Sequence, residues 1–295
     1  MSLKNISRVM DLKNKSLIEI HIAVLFFGLA GLFGKLISLP SIIIVFGRVL
    51  FASGFLITLL FFQKESIKLD ERKEYFYFIM LGSILAFHWV AFFLSIQLST
   101  VAIGLLMFST FPVFVAFIEP IFFKDKIYIK DIFIAVITFS GVAFVIPNFE
   151  FENSMTQGVL WGILSGFSFA ILSVMNKKYV SKYKSLVISF YQCFVATMVL
   201  LPFIFTMKLD FDSKNIILLI VLGVVFTGVS HTLFINGLKN VKAQTASIIA
   251  SLEPVYGIIA TVILLREIPS LREILGGIII LSTAIYSTLK TKKND

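Results

Sequence analysis

The chain is poor in the residues from which soluble catalytic sites are built. It has one cysteine, three histidines and 17 acidic residues among 295. With Cys193 alone, no disulfide can close within the chain, so cysteine usage says nothing about redox compartment. There is no H-E-x-x-H sequence and no Cys/His cluster at metal-ligand spacing, so no metal site is expected. Gly28 to Gly34-Lys35 imitates a phosphate loop, but the spacing is one residue too long and Leu36 stands where Ser or Thr is required. Neither an ATP site nor any other cofactor is expected. No hydrophilic stretch is long enough for a soluble catalytic domain.

What remains is apolar. The chain is 58% hydrophobic with 15% charged residues and 33 phenylalanines, and its mean hydropathy is +0.97. Soluble domains hold roughly 45–50% apolar residues. The net charge of +9 could point to nucleic acid, but the basic residues sit in short loops between apolar runs, so no nucleic-acid partner is expected. The expected partners are the lipid bilayer and a small-molecule substrate.

A bilayer-spanning helix needs about 20 apolar residues. The pattern predicts spans near 17–37, 41–62, 75–96, 100–122, 131–147, 158–177, 185–206, 215–237, 243–264 and 272–289. Long apolar runs without strict alternation point to helices rather than a barrel. The first run is too long for a signal peptide and no cleavage pattern follows it. With the N-terminus inside, twenty Lys and Arg fall on the inner side and four on the outer: Lys208, Lys214, Arg266 and Arg272. This asymmetry places both termini in the cytoplasm. Composition suits a bacterial or archaeal inner membrane.

The second half partly repeats the first. Phe111-Pro112-Val113-Phe114 recurs as Glu253-Pro254-Val255-Tyr256, 142 residues later, and Lys124-Asp125 recurs as Arg266-Glu267 at the same offset. Lys130-Asp131 likewise recurs as Arg272-Glu273. Five spans per half force the second copy to enter from the opposite side, which gives an inverted repeat, an architecture of secondary transporters. The expected fold is an all-α membrane protein of ten transmembrane helices in two inverted five-helix repeats. The first repeat is residues 1–147, the second is residues 158–295, and 148–157 form a linker on the outer face.

The run Leu252-Glu253-Pro254-Val255, an apolar stretch, Arg266-Glu267 and then Gly276-Gly277 resembles the end of an EamA-type repeat of the drug/metabolite transporter superfamily. Pro112 to Val145 carries a similar pattern, with Asp125 where that family usually has Glu. Ser38-Leu39-Pro40 leading to Arg48, and His88-Trp89 before Ser99-Thr100-Val101-Ala102, are also similar to family members. The resemblance implies alternating access around a central cavity and no enzymatic activity. Similar proteins move amino acids, sugars, nucleotide precursors, choline or toxic cations.

Ionisable residues inside a membrane are costly and are functional suspects. Glu253 falls near the midplane, and Pro254 after it favours a local break. It is a candidate proton or substrate-ammonium site, or else a structural acid. Arg48 is too deep to reach the headgroups. It either binds a substrate carboxylate or braces helices by bonding carbonyls. His88, Trp89 and His231 are candidate substrate contacts, against the alternative of interhelical bonding and packing. Gln244, Ser247 and Ser251 share one helix face that leads to Glu253, so Ser247 and Ser251 are expected to line the cavity. Glu119 and Asp125 are expected in interfacial ion pairs. Gly158, Gly162 and Gly166 allow close packing, either within the chain or in a homodimer. The expected function is export of amino acids or related polar metabolites, with protons as a coupling ion allowed. An intramembrane enzyme is the opposed reading, and the scatter of the ionisable residues disfavours it.

Overall fold

The structure, a computed structural model, describes residues 3–124, 126–127, 129–146, 150–207 and 212–291. Asp125, Lys208, Lys292, Lys293, residue 147 and residues 148–149 of the expected linker lie outside the described residues. All regular structure among the described residues is helical. In chain order it comprises α1 (Leu3–Ala30), α2 (Phe33–Leu36), α3 (Ser41–Phe62), α4 (Arg72–Leu98), α5 (Val101–Phe108), α6 (Phe111–Phe123) and α7 (Ile129–Val145). Then follow α8 (Ser154–Tyr179), α9 (Ser185–Ile204), α10 (Ser213–Gly223), a π-helical turn (Val224–Val229), α11 (Ser230–Gly237), α12 (Ala243–Ala250), α13 (Glu253–Leu265) and α14 (Leu271–Thr291).

Helices satisfy their own backbone groups, which lipid cannot do. Several polar side chains cap helix ends. Glu71 and Glu74 form a reciprocal capping box at the start of α4. The Asn153 side chain accepts from the Met155 N–H at 2.8 Å and starts α8 at Ser154, four residues before the expected span. The Asp212 carboxylate accepts from the Asn215 N–H at 2.6 Å and starts α10.

Eight stretches among the described residues are long and apolar enough to cross a membrane: Asp11–Leu36, Ser41–Phe62, Arg72–Leu98, Val101–Phe123, Ser154–Tyr179, Ser185–Ile204, Ser213–Gly237 and Ala243–Leu265. The expected fifth and tenth spans exist as helices α7 and α14 but are not among these eight. At 17 residues, α7 is shorter than the roughly 20 needed to cross upright. These two helices pack on each other, with Gly141 and Gly276 at the contact and the Thr138 hydroxyl donating to Thr283 Oγ1 at 2.7 Å.

Three of the expected continuous spans are interrupted. The first breaks at Gly31 and Leu32, between α1 and α2. The fourth breaks at Ser109 and Thr110, and the ninth at Ser251 and Leu252. In both of the latter, the next helix begins with proline at its second position, Pro112 in α6 and Pro254 in α13, where a missing N–H costs nothing. Both of those helices also end on a left-handed residue, Lys124 (φ 59°) and Arg266 (φ 56°). These paired features recur at the 142-residue offset of the sequence.

The main packing runs between the two halves of the chain. Helix α4 lies against α8, α3 against α9, and α1 against α11 and α13. The glycine run of α8 faces this internal seam. A Cβ on Gly162 would sit 2.5 Å from Met107 Cβ, and one on Gly166 would sit 2.9 Å from the Phe108 carbonyl. That run is therefore consumed by packing within the chain and is not free to serve a homodimer. Large apolar side chains such as Phe61, Phe62, Ile263 and Leu264 remain exposed on the outside, a surface suited to lipid rather than water.

Candidate functional site

The interruptions and the internal seam converge on one cavity. It is lined by Phe27 and Ala30 of α1, Arg48 of α3, His88, Trp89 and Phe92 of α4, Phe108 of α5, Phe169 of α8, His231 of α11 and Glu253 of α13. Both halves contribute. The free space is about 20 Å³, room for about one water. A metabolite needs several times that, so the helices must part before one can enter.

Arg48 is 2% exposed. Its Nε donates to Thr227 Oγ1 at 2.9 Å and its Nη2 to the Phe226 carbonyl at 3.4 Å. The guanidinium carbon lies 4.0 Å from the centre of the Trp89 ring, a cation–π distance. Thr227 and Phe226 belong to the π-helical turn, whose wider ring of hydrogen bonds presents backbone groups that an α-helix keeps to itself. Arg48 of the first half is thus hydrogen-bonded to the π-helical turn of the second half.

The break at Ser251 and Leu252 brings Glu253 to the first turn of α13. Its Oε2 is buried and has no hydrogen-bond partner. Gly28 of α1 makes this placement possible: a Cβ there would lie 2.6 Å from the Glu253 carbonyl. His231 bonds through Nε2 to Gln192 Oε1 at 2.8 Å, while its Nδ1 is buried and unpartnered. His88 Nδ1 lies 3.0 Å from the Ser165 carbonyl and 2.9 Å from Ser165 Oγ. The His88 ring also packs against Phe169 at 4.9 Å between centroids.

The structure therefore brings together Arg48, His88, Trp89, His231 and Glu253 from distant parts of the chain. Ser247 and Ser251 are buried but do not line the cavity, contrary to expectation. Their hydroxyls are spent on their own helix, Ser247 donating to the Gln244 carbonyl at 2.7 Å and Ser251 to the Ser247 carbonyl at 3.0 Å. Back-bonding of this kind is the usual fate of a helical hydroxyl in an apolar setting. Glu119 also departs from its expected role. Its carboxylate accepts from the backbone N–H groups of Ala243 and Gln244 at 3.2 and 2.9 Å and so caps α12. Sequence reasoning did not find the aromatic wall of Phe27, Phe92, Phe108 and Phe169, because 33 phenylalanines leave no signal to separate four of them.

Comparison with known proteins gives this architecture a family. The model of the EamA-like transporter family matches residues 14–146 and again 156–289. An uncharacterized transporter of Bacillus subtilis, YxxF, is 27% identical over 91% of this chain and 88% of its own length. The S-adenosylmethionine uptake transporter of Rickettsia conorii is 26% identical over 86% of this chain and 85% of its own. One solved crystal structure, 15% identical, superimposes with a TM-score of 0.70 over 96% of this chain and 99% of that one, which supports the fold alone. With two family matches that together span most of its length, the chain belongs to the EamA-like transporter family and is a multi-pass membrane transporter, not an enzyme.

Proposed function

We propose that this transporter carries small zwitterionic metabolites of amino-acid type by alternating access. The observation that carries this reading is the presence of Arg48 and Glu253 in one cavity with an aromatic wall. The Arg48 guanidinium is the donor for a carboxylate, Glu253 is the acceptor for an ammonium group, and Trp89 with the four phenylalanines receives an apolar side chain. Each buried charge then finds its counter-charge on the cargo, which offsets the desolvation that an unmatched charge would suffer. The cargo named for the Rickettsia relatives, S-adenosylmethionine, itself carries an amino-acid group.

The ten-span inverted repeat belongs to this reading, with halves at 1–147 and 158–295 joined through 148–157. It is supported by the packing of α1 on α11 and α13, which mirrors that of α8 on α4, α5 and α6. The recurring proline and left-handed residues of α6 and α13 support it too. In this arrangement both termini lie in the cytoplasm of a bacterial or archaeal cell, and proton coupling runs through Glu253. Sequence reasoning favours export, whereas the Rickettsia relatives are named for uptake. A reconstituted carrier reveals its preference directly.

The test is counterflow in proteoliposomes loaded with each of the twenty amino acids, with S-adenosylmethionine and with choline. Exchange of at least one amino acid or of S-adenosylmethionine, lost in Arg48→Met, is the expected result. Exchange of choline alone would overturn it.

A further inference from the structure

The hydrogen bonds around His231 fix which cargo atoms the cavity can accept. The Gln192 Nε2 amide group donates to Asn176 Oδ1 at 2.5 Å, which turns Gln192 Oε1 toward His231 Nε2 at 2.8 Å. A carbonyl oxygen only accepts, so His231 Nε2 must carry the proton. In the neutral ring Nδ1 is then a bare lone pair. That atom is buried and unpartnered, as is Glu253 Oε2, and both residues line the same cavity. Gln192 and Asn176 are themselves buried, so solvent does not compete for the arrangement.

Two residues of the cavity lining therefore each carry a buried acceptor without a donor. Buried acceptors without partners are costly, and each is relieved only by an N–H or O–H group. A quaternary ammonium has positive charge but no such hydrogen. It would satisfy Glu253 by charge alone and leave the His231 lone pair unmatched. A primary ammonium has three N–H groups, enough to offer one to each.

We propose that the transporter selects cargo bearing a primary ammonium, with His231 Nδ1 and Glu253 Oε2 as its paired acceptors. Gln192 and Asn176 are positioning residues that hold His231 in the accepting tautomer. This inference rests on the amino-acid reading above and deepens it. It also sets the cargo apart from choline-like cations on the count of donors rather than on charge.

The experiment measures binding of the twenty amino acids to the full chain in nanodiscs, then compares the best binder with its N,N,N-trimethyl betaine. The betaine keeps the charge, the carboxylate and the side chain. The wild type should prefer the amine by about tenfold to a hundredfold, the worth of a hydrogen bond to a charged group. His231→Phe should bring that preference down by about tenfold. Gln192→Leu should do the same through loss of the tautomer lock, whereas Gln192→Glu, which still offers an acceptor to Nε2, should retain the preference. A loss of packing alone would weaken amine and betaine together and leave their ratio unchanged, and that result in Gln192→Leu would overturn the positioning role. Equal binding of amine and betaine by the wild type would overturn the inference while leaving the amino-acid reading intact. Failure of every amino acid to bind would remove both.

Discussion

Glu119 completes a helix that begins 124 residues further along: its carboxylate accepts the backbone N–H of Ala243 at 3.2 Å. The converse contact exists at the start of α5. There Val101 donates its backbone N–H to Glu267 at 3.0 Å, and the Thr100 hydroxyl donates to Glu273 at 2.6 Å. Val101 and Ala243 are separated by the repeat offset of 142. Each half of the chain thus supplies the carboxylate that caps a helix of the other. A carboxylate at a helix N-terminus gains from both the free N–H groups and the helix dipole.

In the ten-span arrangement these two caps sit on opposite faces of the membrane, and both are closed. We expect Glu119→Gln to loosen the inner face and Glu267→Gln the outer face. A hydrogen bond to a charged acceptor is worth about 1.5–3 kcal/mol, so the open population should rise by roughly tenfold or more on one side only. Ala30→Cys in a Cys193→Ala background places a single thiol in the cavity wall for labelling. Impermeant reagents should reach it faster from the inside in Glu119→Gln and from the outside in Glu267→Gln. Equal acceleration from both sides in either variant would refute the assignment.

Among the described residues, Glu253 is the one acid in the cavity lining. If it carries the coupling proton, Glu253→Gln should still exchange cargo, with affinity lowered by about tenfold through loss of the charge. Uphill accumulation driven by a pH gradient should fall to the level of empty liposomes. Measuring both in one preparation separates the two effects, and undiminished pH-driven accumulation would reject the coupling role.

A third expectation concerns pH and the loops at the expected inner face. Lys182 donates to Glu74 at 2.6 Å and lies 3.2 Å from Asp70, which joins the loop before α9 to the start of α4. The hydrogen bond to Glu74 holds the Lys182 ammonium above its ordinary range, with Asp70 and Tyr183 adding to the effect. A lysine raised on folding contributes its full share below the unfolded value of about 10.4 and loses it as pH climbs toward the folded one. Melting temperatures of the wild type and Lys182→Arg should therefore run parallel from pH 7 to about pH 9. Above about pH 10.5 the wild type should fall further, because arginine stays charged there. Parallel curves up to pH 11 would show that the bridge does not matter to stability.

Much of this was legible in the sequence, and the limits have physical causes. Pro254 announced an interruption nearby, because proline fits a helix only in its first turn; the break falls at Ser251 and Leu252, and Glu253, where it was expected, is itself helical. Arg48, His88 and His231 announced themselves by being expensive to bury in lipid, and Trp89 as an aromatic surface beside His88. The helical period placed Ser247 and Ser251 on one face, but it could not tell whether that face met a cavity or a neighbouring helix. Nor could it show that their hydroxyls would turn back onto their own carbonyls. Glu119 was visible as an acid near a helix end, yet its partners are backbone groups 124 residues away, and no side-chain pattern marks a backbone donor. The Gln192–His231 bond joins two helices whose pairing only the folded chain reveals.

The narrowness of the cavity sets a condition on every affinity measured for this protein. Cargo meets a form that excludes it, so observed binding is the intrinsic affinity reduced by the fraction of molecules already open. A weak dissociation constant is then compatible with a well-matched site. It follows that a substitution far from the cavity which favours the open form, such as Glu267→Gln, should make cargo presented from the newly opened side bind more tightly without touching it.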